Sequence, residues 1–343
     1  MISFASADIS LVVLAFLGFV LGLVSGFIGV GGGFLMTPIL IILGFPAHLA
    51  VGTSLTWVMG NSIIGCLRHR QLGNVDTKLG ALLVVGTIGG IEVGTKILNW
   101  LKASELVEVT VLAVSIGVLI LVCIYTYYDT LRKRIQLRLR LHRQKESLHP
   151  KSKSNYPSKR SIHLPAQIYF HKSGITISLL VVLGTGFTVG LFSGFIGIGG
   201  GILMMPSLIY MFGLTSFMAV GTDIFQVIFA AAYGVARHTM SGNVVIVAAV
   251  VMVLGSSIGT QLGVLATRYA SELSMRYVFA TSVLIAVLAS GLKLAESIWG
   301  NTVNWLQNGA IIVTFGGLGI ILLMIAVLTI GSTWYRNTKV KCT

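Results

Sequence analysis

The chain has 343 residues, 55% of them hydrophobic and only 10% charged, with a mean hydropathy of +0.91 and a net charge of +14. Soluble domains carry about 25% charged residues, so this composition excludes a water-facing globular surface and points into a membrane. Three cysteines (Cys66, Cys123 and Cys342) show neither paired nor metal-ligand spacing, which argues against a disulfide framework and against a zinc site.

Residues 9–28 form the first apolar block, about 20 residues, the length that crosses a hydrocarbon core of about 30 Å. This block lacks a basic start, carries Asp8 and shows no small-residue cleavage site, so it reads as a retained helix and not as a signal peptide. A short apolar piece follows at 34–45, then long blocks at 49–67, 79–98 and 106–128. A second series runs 174–196, a short piece 202–213, then 217–236, 244–267, 275–295 and 309–334. The blocks are continuously apolar and do not alternate, which predicts helices rather than barrel strands.

Between the two series lies a basic connector, 129–173, holding twelve of the 24 Lys and Arg together with His142, His149, His163 and His171. It reads as a solvated segment that continues the preceding helix for a turn or two before becoming irregular. Positive-inside bias places it in the cytoplasm, and its charge suits anionic lipid head groups; nucleic-acid binding is not expected. Arg336, Lys339 and Lys341 put the C-terminus on the same side.

The chain also matches itself. Residues 22–38 align with 190–206, and Ala50, Val51, Gly52, Thr53 and Ser54 align with Ala219, Val220, Gly221, Thr222 and Asp223. Arg68 and His69 match Arg237 and His238, and Gly86, Gly90 and Gly94 match Gly255, Gly259 and Gly263. The expected architecture is therefore all-α integral membrane, with a first transmembrane repeat at 8–128, a second at 174–296 and an additional C-terminal helix at 309–334. Charge parity between Lys172 and Arg336 requires an even number of crossings, which makes the short pieces cross and inverts the second repeat relative to the first. The alternative is a pair of re-entrant short pieces with four spans per half and a parallel duplication.

The doubled motif carries the candidate site. Gly29, Gly31, Gly32 and Gly33, with Gly197, Gly199, Gly200 and Gly201, each end one helix before another that begins near Pro38 or Pro206. Glycine tolerates positive φ and lets backbone N–H groups converge, and a helix N-terminus beside them favours an anion. Tight packing through small residues is the structural competitor. A dinucleotide fingerprint does not fit, because a membrane helix and not a strand precedes the glycines. Thr53 and Ser54, with Thr222, are hydroxyls that can bind an oxyanion or back-bond to their own helix. Asp223 is an intramembrane carboxylate and thus a candidate for carrying a proton; Glu92, which can pair with Lys96, is a second. Gln226 can line the cavity, and Arg68 and Arg237 are either interfacial anchors or an electrostatic funnel for anions. No catalytic triad and no metal-ligand set is visible, so neither enzymatic activity nor a cofactor is expected.

The run G-x-x-S-G-x-x-G-x-G-G-G-x-L-x-x-P from Gly22 to Pro38, repeated from Gly190 to Pro206 and followed by A-V-G-T-S or A-V-G-T-D, resembles the TauE/SafE (sulfite exporter) family of membrane permeases. The resemblance implies a cell-membrane permease for small sulfur-containing or organic anions such as sulfite, sulfoacetate or short carboxylates. The expected function is a secondary transporter working by alternating access, with proton coupling through Asp223. An anion channel, or a membrane assembly protein using the basic loop, is the alternative.

Overall fold

The apolar blocks fold as helices in the computed structural model of the chain, which describes residues 2–4, 7–28, 32–71, 75–103, 106–146, 166–267, 270, 272–299 and 304–340. The helices are α1 (Leu11–Ile28), α2 (Gly33–Ile42), α3 (Ala47–Gln71), α4 (Thr77–Leu101), α5 (Val107–Glu146), α6 (Leu179–Ile196), α7 (Gly201–Pro206), α8 (Ser216–Met240), α9 (Ile246–Thr267), α10 (Glu272–Trp299) and α11 (Asn304–Val340). Among the described residues, nine are long and apolar enough to cross a membrane. The protein is an all-α, multi-pass membrane protein, as the hydropathy requires. Two short antiparallel hairpins, β1 (Ile2–Phe4) with β2 (Ala7–Ile9) and β3 (Gln167–Phe170) with β4 (Ile175–Ser178), precede α1 and α6.

Three local features depart from the sequence expectations. Helix α5 continues to Glu146, well beyond a turn or two past the apolar block. The reason is composition: residues 129–146 are rich in Arg, Lys, Gln and Leu and contain neither Gly nor Pro. Nor do the short helices begin at their prolines. They begin at Gly33 and Gly201, each capped by a left-handed glycine, Gly32 (φ 71°) and Gly200 (φ 88°). Pro206 instead ends regular helix: it has no N–H to bond back, and the chain passes into a π-helical turn, Ser207–Met211. Finally, β3 and β4 lie in or beside the stretch read as irregular connector, where alternating Ile168, Phe170, Ile175 and Ile177 pack on the end of the bundle.

Glycine stripes set how the spans pair. On α1, Gly18, Gly22 and Gly26 lie against Met252, Ser256 and Thr260 of α9, while Gly255, Gly259 and Gly263 of α9 lie against Ala15, Phe19 and Leu23. On α6, Gly186, Gly190 and Gly194 meet Leu83, Thr87 and Ile91 of α4. A Cβ at Gly22 would sit 2.7 Å from Ser256 Cα, so only glycine allows backbones this close.

These contacts also give direction. Residue numbers rise together along α1 and α9, and along α6 and α4, so each pair runs parallel. Helices α3 and α9 are parallel too, through Thr53–Val245 and Gly60–Val253, and α4 and α8 through Thr87–Gln226, Glu92–Tyr233 and Asn99–Ser241. By contrast α3 meets α8 antiparallel, Gly65 against Ile224 and Gly234 against Leu55. Helices α1, α3 and α9 thus point one way and α4, α6 and α8 the other. The chain between α1 and α3, which contains α2, must return across the bundle, and so must the chain between α6 and α8.

Candidate functional site

The two glycine-rich breaks meet. A Cβ placed on Gly33 would lie 2.6 Å from the Ile198 carbonyl oxygen, and one on Gly197 would lie 2.8 Å from Val51 Cα and 2.9 Å from Thr37 Oγ1. Gly197, Gly199 and Gly200 all have positive φ (80°, 71° and 88°), a conformation that L side chains rarely adopt. Gly32, Gly33, Gly197, Gly199, Gly200 and Gly201 are all buried. Gly29 and Gly31 lie outside the described residues.

Ser54 locks this junction. Its buried hydroxyl donates to the Gly197 carbonyl at 3.0 Å and lies 3.5 Å from the Gly33 carbonyl, so one side chain touches both breaks. Thr53 and Thr222 have a different employment. Thr53 Oγ1 accepts from the Val245 N–H at 3.0 Å and Thr222 Oγ1 from the Asp76 N–H at 3.1 Å, at matching places in the two halves. Asp76 in turn caps α4 by accepting from the Leu79 N–H. Each threonine therefore holds the start of a helix from the other half, satisfying a donor that the helix itself cannot.

Asp223 stands where Ser54 stands in the first half, but with a contrasting environment. It is 1% exposed and neither carboxylate oxygen has a hydrogen-bond partner. Gln226, one turn on and fully buried, donates through Nε2 to Thr87 Oγ1 at 2.9 Å, while its Oε1 has no partner. Three buried donors beside the breaks also lack partners: Thr37 in α2, whose Oγ1 would lie 2.9 Å from a Cβ on Gly197, Ser193 one turn before Gly197, and the Trp57 indole, whose ring would contact a Cβ on Gly32. Buried polar atoms are almost always paired in proteins, so the unpartnered hydroxyls and indole beside the breaks make this junction the candidate site.

The remaining candidates are already engaged. Glu92 accepts from Tyr233 Oη at 2.8 Å and Arg237 Nη2 at 2.9 Å, its Oε2 lies 2.6 Å from Arg237 Nε, and Lys96 Nζ is 3.3 Å away. Arg237 is thus matched by a carboxylate of the other half, which cancels much of the field a funnel would need, and the pair that the sequence suggested with Lys96 is only part of the cluster. The side chain of Arg68 is outside the described residues. His238, which follows Arg237, is buried; its Nε2 lies 3.0 Å from the Gly194 carbonyl. Sequence reasoning also missed Asn61, which donates to Ser25 Oγ at 2.7 Å and accepts from Thr260, joining α3 to α1 and α9. Its signal was an amide in the middle of an apolar block. An open groove of about 340 Å³ between α5 and the π-helical turn is lined by Leu121, Tyr125, Leu203, Tyr210 and Met211 among others. None of the described break glycines lines it. Among the described residues no three metal-ligating side chains cluster.

Comparison with known proteins finds relatives among membrane transporters. The model of the family described as sulfite exporter TauE/SafE matches residues 14–294. The chain is 29% identical over 279 residues to the probable membrane transporter protein YjnA of Bacillus subtilis, covering 81% of this chain and 97% of that protein. It is 27% identical over 265 residues to the probable membrane transporter protein YunE of the same organism, covering 74% and 87% respectively. A shorter match, 41% over 81 residues, links 22% of this chain to 30% of the probable membrane transporter protein MJ0441 of Methanocaldococcus jannaschii. No solved structure gives a significant match.

Proposed function

Since the chain belongs to the sulfite exporter TauE/SafE family and is a membrane transporter, we propose that it is a secondary transporter for a small sulfur-containing or organic anion, working by alternating access. The observation that carries this reading is the meeting of the two breaks, with Ser54 bonded across them and unpartnered buried donors beside them. Backbone N–H groups at the starts of α2 and α7, the Thr37 and Ser193 hydroxyls and the Trp57 N–H offer positive hydrogen-bonding character without a net charge. Such a site suits a sulfonate, sulfite or carboxylate group and can release it again. Asp223 is the group through which a cation gradient would act on the anion.

The transmembrane repeats, 8–128 and 174–296, form two inverted halves in this reading. Support comes from the helix directions: α1 and α3 oppose α6 and α8, the pattern expected of an inverted duplication. The stacked glycine interfaces then act as the surfaces on which one set of helices rocks against the other. The basic connector, 129–173, and the C-terminus lie in the cytoplasm against anionic lipid head groups.

Proteoliposomes holding the full chain, loaded or diluted into labelled sulfite, sulfoacetate, sulfate or acetate, test the assignment. Saturable flux of at least one of them is expected. If none moves and none raises the melting temperature in detergent, the anion reading is wrong; a flux that never saturates would indicate a channel.

A further inference from the structure

We propose that Asp223 and Gln226 form a binding site for a sodium ion. Three oxygen atoms carry the argument: Asp223 Oδ1, Asp223 Oδ2 and Gln226 Oε1 are buried and lack partners. They sit three residues apart on α8, and therefore on neighbouring positions of one helix face. The amide orientation follows from its neighbour. Thr87 spends its hydroxyl hydrogen on the Leu83 carbonyl at 2.8 Å, so toward Gln226 it can only accept, at 2.9 Å from Nε2. The amide NH₂ is thereby turned to Thr87, and its oxygen is the atom left over.

Three acceptors without a donor repel an anion and call for a cation. No protein cation supplies it among the described ion pairs: Arg237 and Lys96 are committed to Glu92, and Lys293 to Glu108 and Glu296. A proton on Asp223 could satisfy at most two of the three oxygens. A metal ion can bind all three, and hard oxygen ligands select a hard cation. With a single carboxylate in the set, a monovalent ion balances the charge, whereas a divalent one would leave a buried net charge at large cost.

The first half supplies an internal contrast. At the position matching Asp223, Ser54 donates its hydroxyl to the break carbonyls; a carboxylate at that place has no hydrogen to donate. Trp57 matches Gln226 and presents an N–H, so the first half lacks both members of the acceptor set. The duplicated scaffold thus carries an ion site in one copy only. Its role in coupling rests on the transporter reading above, but binding itself does not.

The test uses the purified full chain in detergent, with no candidate substrate added. Its melting temperature is followed as NaCl replaces choline chloride at constant total chloride and ionic strength. A saturable rise with Na⁺, absent with K⁺, is expected. Asp223→Ser, which installs the residue of the matching position, and Gln226→Leu should abolish it, and Thr87→Val, which frees the amide to turn, should weaken the apparent affinity by about 10- to 100-fold. A wild-type melting temperature indifferent to Na⁺, or a rise of equal size in both Asp223→Ser and Gln226→Leu, overturns the proposal. Anion flux without a sodium response would sink the ion site and leave the anion reading; a sodium response without any anion flux would leave the ion site and sink the anion reading.

Discussion

At the scale of single residues, the chemistry of this protein depends on which buried polar atoms are paired. Glu92 and Arg237, 145 positions apart in the chain, form a partly buried ion pair that also engages Tyr233 and Lys96. Removing one partner leaves the other charge in a poorly solvated place. Glu92→Gln is expected to lower stability by about 1–3 kcal/mol, with much of that loss recovered in the double variant Glu92→Gln/Arg237→Gln. A double-mutant cycle on detergent melting measures the coupling, and a coupling near zero would show that the pair contributes nothing. Ser54→Ala should cost about 0.5–1.5 kcal/mol through its lost hydrogen bond. It should also slow transport in the vesicle assay, because it loosens the junction of the two breaks. Normal transport by a destabilised Ser54→Ala would make that hydroxyl purely structural.

At the scale of elements, glycine spacing does more than break helices. The same residue type serves three purposes along and just past α6: open exposed surface at Gly184, close packing on α4 at Gly186 and Gly190, and a left-handed turn at Gly197. A sharp contrast follows. Gly190→Ala places a methyl 2.8 Å from Thr87 Cα and must push α6 off α4, whereas nothing lies within 4 Å of a Cβ at Gly184. Gly190→Ala is expected to cost several kcal/mol, on the order of the 1–3 kcal/mol typical of overpacking or above, while Gly184→Ala stays neutral. Size-exclusion profiles and melting temperatures of the two variants in the same detergent decide this. Equal behaviour would mean that α6 and α4 are not held at the observed distance.

At the scale of the whole molecule, the direction of each helix makes a topological prediction. With the connector in the cytoplasm, the loop between α4 and α5 faces outward and the loop between α9 and α10 faces inward. In a background lacking Cys66, Cys123 and Cys342, an impermeant thiol reagent added to intact cells should label Ala103→Cys and spare Ala270→Cys. Labelling of both, or of neither while both react after lysis, would favour a parallel duplication and refute the inverted one.

How much of this could be read from the chain follows a physical line. Span number and length come from local hydropathy, because each helix must satisfy its own backbone in lipid and each stretch of about 20 apolar residues carries that information by itself. The doubled motif and its glycine runs were equally legible, since identity between distant segments and runs of glycine are properties of the string. Even Asp223 stood out, as an isolated acid in an apolar block. What an atom bonds to was not legible. Thr53 and Thr222, read as hydroxyls that bind an oxyanion or back-bond, accept from helix starts of the opposite half, and Arg237, read as an anchor or a funnel, meets Glu92. All of these contacts join residues about 140 or more positions apart or across different helices, where hydropathy says nothing about partners. By itself the sequence determined that this protein crosses the membrane in many apolar helices and carries the same glycine-rich motif twice. Only the tertiary structure decided that the breaks touch, and that the Asp223 carboxylate and the Gln226 amide oxygen are left unpaired where Ser54 is satisfied, because pairing depends on which helix faces which and that is set by packing between distant segments.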